Sequence, residues 1–229
     1  MMDTLRDKLY LVAHSVLKRW SRAGIETFLR DSLLTHNGNN MRILCVGGHG
    51  PVLDYLKQIH SLNQIVTLDI NPEHRPDYLL DLSTSNMESL LPDKFDAIIL
   101  MEVLEHIPDF QGAISNTFNL LKPTGVLIAS VPWSTPLHDK PHDFYRFTAF
   151  RIQQLLISSG FSTYELECRG NLLDSIIYLG LRGLKSWGWR GKIIFLLFAP
   201  ISLLLKKPKR YVQLQDSCIG YNFIATKLI

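Results

Sequence analysis

Cysteine is scarce. The 229 residues contain three, Cys45, Cys168 and Cys218, an odd number with no CxxC pair. A disulfide framework is therefore not expected, and a reducing compartment is. Long apolar runs are also missing. The longest candidate, IIFLLFAPISLLL at 193–205, is shorter than the roughly 20 residues of a membrane span, and Pro200 would kink it. The first twenty residues lack the uninterrupted apolar core of a signal peptide. Together these absences predict a cytoplasmic protein. The net charge of +3 is too small to imply a nucleic-acid partner. One absence is local. Between Ser175 and Gln215 there is no acidic residue, while Arg182, Lys185, Arg190, Lys192, Lys206, Lys207, Lys209 and Arg210 supply eight positive charges.

The chain has 46% hydrophobic and 20% charged residues, a globular balance. Residues 3–35 carry Leu5, Leu9, Val12, Val16 and Trp20 at three- and four-residue steps, an apolar helical stripe. Gly24 breaks it, and Ile25, Phe28, Leu29 and Leu33 continue it. This arm, 1–40, ends in the turn cluster THNGNN and reads as a packing helix or a cap over the rest. From residue 41 to 229 the pattern changes. MRILCVGGHG, QIVTLDINP, YLLDL (78–82), FDAIILM (95–101) and GVLIASVPW (125–133) are buried strands separated by helical stretches, one of them over 111–122. FTAFRIQQLLISSG (147–160) is an amphipathic helix, and FSTYELECR (161–169) and YNFIATKLI (221–229) are further strands. Alternation of this kind predicts an α/β three-layer sandwich around a mostly parallel sheet.

The connection at about 170–215 is long for a compact domain. It joins the basic cluster to Trp187, Trp189 and the apolar run. Such a mixture suits helices lying in an anionic membrane surface through 175–210. Its plainer reading is an insertion that packs on the sheet and caps a pocket.

In an open parallel sheet, ligands sit at the carboxyl ends of the strands. Gly47, Gly48 and Gly50 follow the first strand and allow close approach of a ligand. Asp69 ends the second strand, where a carboxylate can accept from both hydroxyls of a ribose. Asn71-Pro72 follows at once, so a turn would also explain it. A dinucleotide fingerprint needs a glycine where Leu53 stands, which counts against NAD. After the fourth strand, Glu102, Glu105 and His106 are spaced i, i+3, i+4, so one helical turn puts them on one face. HDKPHDFYRFT (138–148) adds His138, His142, Asp143, Tyr145 and Arg146. Two carboxylates and two histidines are a reasonable donor set for a divalent metal such as magnesium. A structural turn is the plainer reading of LEH.

The segments GGHG, LDINP, DLSTSN, FDAIILMEVLEHIPD and LLKPTGVLIASVP resemble, in order and spacing, the class I S-adenosylmethionine-dependent methyltransferases, including the ubiquinone-pathway O-methyltransferases. The resemblance covers about 41–168 and 221–227. It implies a seven-stranded Rossmann-like sheet whose antiparallel last strand is inserted between its neighbours. It implies S-adenosylmethionine as cofactor, held by Gly47, Gly48, Gly50, Asp69, Ile70, Asp81, Leu82 and Met101. Asp69 would hold the ribose, and Asp81 and Leu82 would lie beside the adenine. The family usually has an acid two positions before the first glycine; here that position is Cys45. Glu102, Glu105, His106 and His142 are similar to the metal ligands of metal-dependent members. Glu102, His106 and His142 would face the acceptor. The PHDFYRFT segment resembles bacterial methyltransferases found with surface-polysaccharide and sugar-modifying enzymes, so the acceptor is expected to be a small molecule, a sugar or a lipid-linked hydroxyl, with the protein peripheral on a membrane's inner face. Two rival readings are a non-enzymatic methyltransferase-like binding module and, ranked last, an RNA methyltransferase.

Overall fold

The computed structural model describes residues 22, 24–36, 40–59, 64–187, 191, 194, 210–211, 213–215 and 217–228. The helical stripe expected at 3–20 and, apart from Ile194, the apolar run at 193–205 lie outside the described residues. The chain divides into a larger unit of Ile25–Trp133, Leu137–Glu167 and Tyr221–Ile229, and a smaller one of Met1–Gly24, Ser134–Pro136 and Cys168–Gly220.

In chain order the elements are α1 (Ile25–Thr35), β1 (Arg42–Val46), α2 (Gly50–Ile59), β2 (Gln64–Asp69), β3 (Tyr78–Leu79), α3 (Met87–Leu90), β4 (Phe95–Met101), α4 (Phe110–Leu120), β5 (Leu121–Pro132), α5 (Ala149–Ser158), β6 (Thr163–Arg169), α6 (Leu172–Ser186), β7 (Arg210–Tyr211) and β8 (Gly220–Thr226). The strands line up as β3-β2-β1-β4-β5-β8-β6-β7. β1 pairs in parallel with β2 and β4, β2 with β3, and β4 with β5. β8 runs the other way. Lys227 N donates to the Gly125 carbonyl at one end of β5, and Ser134 N donates to the Ile219 carbonyl at the other. The inserted, antiparallel last strand implied by the resemblance is therefore present.

The parallel strands are buried on both faces and read as continuous apolar runs. Ile43 and Cys45, Ala97, Ile99 and Met101, and Val126 and Ile128 share one face by the two-residue period. That face packs on Ile25, Phe28, Leu29 and Leu33 of α1 and on Leu56 of α2. The second half of the N-terminal arm thus belongs to the core of the larger unit. β1 and β4 reach the core because they lie centrally. Their carboxyl ends bring the glycine loop and the LEH turn to the same edge of the sheet.

Two boundaries differ from the pattern. The helix expected over 111–122 stops at Leu120, and the strand begins at Leu121, which already pairs with Phe95. Pro123 has no N–H to continue a helix. A register shift follows between Phe95 and Ala97, and Thr124 adopts φ +62° there. The strand expected over 78–82 is only two residues long. Asp81 instead opens a turn, its carbonyl accepting from Thr84 N at 3.0 Å.

In the smaller unit, Cys168 and Arg169 of β6 pair antiparallel with Tyr211 and Arg210 of β7. α6 begins on a capping box. Asn171 Oδ1 accepts from Asp174 N at 3.1 Å, and Asp174 Oδ2 accepts from Asn171 N at 3.0 Å. This satisfies two amides that a helix start otherwise leaves open.

Candidate active site

Asp69, expected to hold the ribose, lies at the end of β2 and is 6% exposed. Its Oδ1 accepts from Asn71 N at 2.8 Å. Its Oδ2 accepts from His74 Nδ1 at 2.9 Å and His49 Nδ1 at 3.2 Å. Burial alone would raise the Asp69 carboxyl, but the Asn71 amide and the two imidazoles outweigh it and hold the group below its ordinary value. The imidazoles of His49 and His74 stack at 3.6 Å with 22° between planes. Nearly parallel rings that both aim Nδ1 at one oxygen are two donors on a carboxylate. They are not two lone pairs converging on an ion.

The glycine loop is shaped by close approach. Gly47 and Gly50 have φ +67° and +65°, a region that favours glycine. A Cβ on Gly48 would sit 2.7 Å from Thr67 Cβ and 3.0 Å from the Cys45 carbonyl oxygen. Gly47 N donates to the Leu68 carbonyl at 2.9 Å, tying the loop to the end of β2. Cys45 is buried beneath it. Burial, reinforced by the Asp69 charge and offset in part by Lys57, pushes its thiol up to about 12. Where the family places an acid, this chain holds a neutral thiol. Of the other expected residues, Ile70 is largely exposed and Leu82 is buried. The Asp81 carboxylate accepts from Ser83 N and Oγ at 2.8 and 2.7 Å. Met101 sits in the apolar core at the end of β4.

A second polar centre gathers Glu105, His106 and His138; of the residues expected to face the acceptor it takes in only the His106 side chain. LEH is a single 3-10 turn, Leu104–His106, directly after β4. Its central residue, Glu105, is fully buried. His106 Nε2 and His138 Nε2 stand 3.7 and 3.8 Å from Glu105 Oε1, and the two rings meet edge to face at 4.8 Å. One donor atom each from Glu105, His106 and His138 lies within 4.8 Å of the other two. His142 enters through its backbone, since its carbonyl accepts from His106 Nδ1. That bond places the proton of a neutral His106 on Nδ1 and leaves Nε2 as the base. Glu102 lies off this cluster. Its residue takes φ +56°, and its Oε1 accepts from Ser130 Oγ at 3.0 Å.

The loop carrying His138 is pinned from behind. Arg146 donates to both oxygens of Asp143 at 2.6 and 2.8 Å. Asp143 Oδ2 also accepts from His138 N at 2.9 Å. The His138 Nδ1 atom is 3.2 Å from that same oxygen, close enough for ion pairing but off the line of a hydrogen bond. The guanidinium, against an opposing effect of burial, holds the Asp143 carboxyl far below the usual carboxylate range, and Asp143 raises Arg146 in return. The Phe144 and Tyr145 amides donate to the Glu105 carbonyl at 2.9 and 3.3 Å, tying this loop to the LEH turn.

Sequence reasoning missed His49 and His74 as partners of Asp69, and singled out His142 where the side-chain cluster holds His138. No period marks these. His49 and His74 belong to separate loops, and His138 and His142 lie on one irregular segment where spacing does not fix direction. Asn116 was also unflagged. Its Nδ2 donates to the Leu82 and Thr84 carbonyls at 2.7 and 3.0 Å, fixing the loop after β3.

Comparison with known proteins adds the following. Residues 18–164, more than half of the chain, match the family described as a methyltransferase domain. A ubiquinone biosynthesis O-methyltransferase of Xanthomonas campestris pv. campestris is 36% identical over 86 residues, 38% of this chain and 32% of that protein. The chain thus spans about a third of that relative's length. A juvenile hormone acid O-methyltransferase of Drosophila melanogaster is 25% identical over 216 residues, covering 78% of this chain and 72% of that one. Among solved structures, a SAM-dependent methyltransferase from Archaeoglobus fulgidus superposes with TM-score 0.56 at 17% identity, covering 90% of this chain and 94% of that one. Phosphoethanolamine N-methyltransferase 2 of Haemonchus contortus, solved with phosphomonomethylethanolamine and S-adenosylhomocysteine, gives 0.52 at 14% identity, covering 95% and 58%. At these identities the structures speak for the fold alone.

Proposed function

The chain belongs to the methyltransferase-domain family, and from that premise we propose that it transfers a methyl group from S-adenosylmethionine to a hydroxyl of a small, sugar or lipid-linked acceptor. The observation that carries this is the pairing of two polar centres at one edge of one sheet. Asp69 and the glycine loop follow β2 and β1, and Glu105 and His106 follow β4. Ligands bind at this edge in open parallel sheets. Asp69 serves the ribose, and its present imidazole donors mark where hydroxyl donors would come. Gly47, Gly48 and Gly50 give the backbone approach to the methionine part, Ile70, Leu82 and Met101 the apolar surroundings, and Asp81 the adenine edge.

Methyl transfer from a sulfonium needs an aligned, nucleophilic oxygen. The acceptor oxygen attacks the methyl carbon, the carbon–sulfur bond breaks, and the sulfonium becomes a neutral thioether. The acceptor's proton leaves to a base. His106 Nε2 fills that role, held by the His142 carbonyl behind it and by Glu105 and His138 beside it. Glu102 supports the turn from Ser130. A divalent ion such as magnesium is the further element implied by the resemblance. Glu105, His106 and His138 offer one carboxylate and two imidazoles, a donor set that would suit a divalent transition metal better than magnesium, whose preferred ligands are oxygens. Such an ion would lower the pKa of the acceptor hydroxyl.

O-methylation rather than N- or C-methylation is favoured by the two O-methyltransferase relatives. The site of action belongs beside an anionic membrane, a reading supported by the acid-free basic stretch at 175–210, most of which lies outside the described residues. Among the described residues no helix is long and apolar enough to cross a membrane. Titration calorimetry with S-adenosylhomocysteine tests the reading. Binding by the wild type is expected, and its absence would sink the proposal in favour of a non-enzymatic binding module.

A further inference from the structure

α6 has two apolar faces, and one of them is turned outward. Ser175, Tyr178 and Leu181 are buried. Leu172, Leu173, Ile176, Leu179 and Trp187 are exposed, each between 42% and 64%. At about 100° per residue these five fall within an arc of about 120°. Gly180 and Gly183 lie on the same arc and are exposed, so no polar side chain interrupts it. The outward stripe runs from the capped first turn past the last one. Scattered exposed leucines are ordinary, but a contiguous stripe on one helix marks an interaction surface.

The charge around it selects the occupant. From Ser175 to Gln215 the sequence has eight positive residues and no negative one, leaving −5 for the rest of the chain. Fields of this sign draw an anionic surface and oppose a second copy of the same segment. We infer that α6 is a membrane-contact helix that lays Leu172, Leu173, Ile176, Leu179 and Trp187 into an anionic lipid surface. The inference rests on the proposed membrane-side site of action and supplies its contact residues. The stripe starts before the basic apolar stretch and does not depend on the 193–205 run. Each apolar side chain that enters lipid adds to binding, and the basic residues add an electrostatic share that salt screens.

The test is flotation of the full chain with vesicles of phosphatidylcholine and phosphatidylserine in equal parts, against phosphatidylcholine alone. Neither cofactor nor acceptor is needed, so failure here leaves the methyl-transfer reading standing, and the reverse also holds. The wild type is expected to float with the anionic vesicles and to be released by salt. Leu173→Ser with Ile176→Ser is expected to weaken binding at least about tenfold, with melting temperature and S-adenosylhomocysteine affinity unchanged. A dye on Ile176→Cys reports the contact directly, because all three native cysteines are buried. Its emission is expected to shift to the blue only when anionic vesicles are added. Results of three kinds would overturn the inference. The first is no flotation of the wild type, or equal flotation of the double variant. The second is a blue-shifted dye without lipid, which would mean that the chain itself covers the stripe. The third is a dimer that the double variant dissolves.

Discussion

The larger unit holds two carboxylates that each face two imidazoles, and they differ in distance. At Asp69 the rings are in contact, with both Nδ1 atoms within 3.2 Å of one oxygen. At Glu105 the two Nε2 atoms stand back at 3.7 and 3.8 Å, beyond hydrogen-bond length. The first arrangement is a carboxylate already engaged by donors, which an incoming ligand must replace one for one. The second sets a buried acid near two bases at separations that a coordinated ion could bridge. Under the proposed function the same residue types would serve two purposes: recognition of a ligand rich in donors, and handling of a proton or an ion.

The largest expected effect breaks the first centre. Asp69→Ala removes the proposed acceptor for both ribose hydroxyls. Charge-assisted hydrogen bonds are worth about 1.5–3 kcal/mol each, so S-adenosylhomocysteine should bind at least about 100-fold more weakly by calorimetry. Unchanged affinity would remove Asp69 from the cofactor site. The next variant separates the two centres. Glu105→Gln should leave that affinity within about threefold while turnover falls about 100-fold, the scale of lost acid–base or metal assistance. Metal analysis and a chelator then divide the two causes: chelator-insensitive turnover assigns the second centre to proton transfer alone.

How legible these centres were follows from where their residues sit. The sheet was readable because its strands are uninterrupted apolar runs ending in Gly47, Asp69 and Glu102. Topology alone carries those ends to one edge. Asp69 and Glu105 were readable for the same reason, as polar residues placed next to strand termini. Their imidazole partners were not. His49 reaches Asp69 only because Gly47 and Gly50 turn the loop back through positive φ, and His74 only because a 3-10 turn follows Asn71. The choice of His138 over His142 for the cluster depends on Asp143 and Arg146 holding the loop, a pairing within one irregular segment. Spacing predicts faces of helices and strands, and these side chains belong to neither.

The Asp143–Arg146 pair sharpens the comparison from the stability side. Asp143→Ala removes the carboxylate partner of a partly buried guanidinium and should destabilise the chain by about 2 kcal/mol near neutral pH. The sign with pH is fixed by the depressed carboxyl. Its stabilisation is complete above the ordinary carboxylate value and declines as pH falls below it, toward the lower folded value. Denaturant unfolding of wild type and variant should therefore give a constant gap from neutral pH down to about pH 5, narrowing in stronger acid. A gap that widened in acid would mean that Asp143 is not the group being titrated. Because Asp143 anchors the His138 amide, turnover should fall with stability while cofactor affinity holds.

An effect of similar size probes how tightly the glycine loop fits the first centre. Gly48 does not use positive φ, so alanine there is allowed by the backbone and excluded only by its neighbours. Its Cβ would meet Thr67 Cβ at 2.7 Å and the Cys45 carbonyl at 3.0 Å. Neither is the end of a flexible chain, so the loop itself must move, at a cost of about 1–3 kcal/mol. Gly50 is the opposite case: it has φ +65° and nothing within 4 Å of a Cβ, so alanine there meets only backbone strain of about 1 kcal/mol. Thermal melts of the two variants should rank Gly48→Ala below Gly50→Ala. Cofactor affinity should follow the same rank, because displacement at Gly48 is transmitted along β2, from Thr67 to Asp69. Equal melts with unequal affinities would place the loop's constraint in the ligand rather than in the fold.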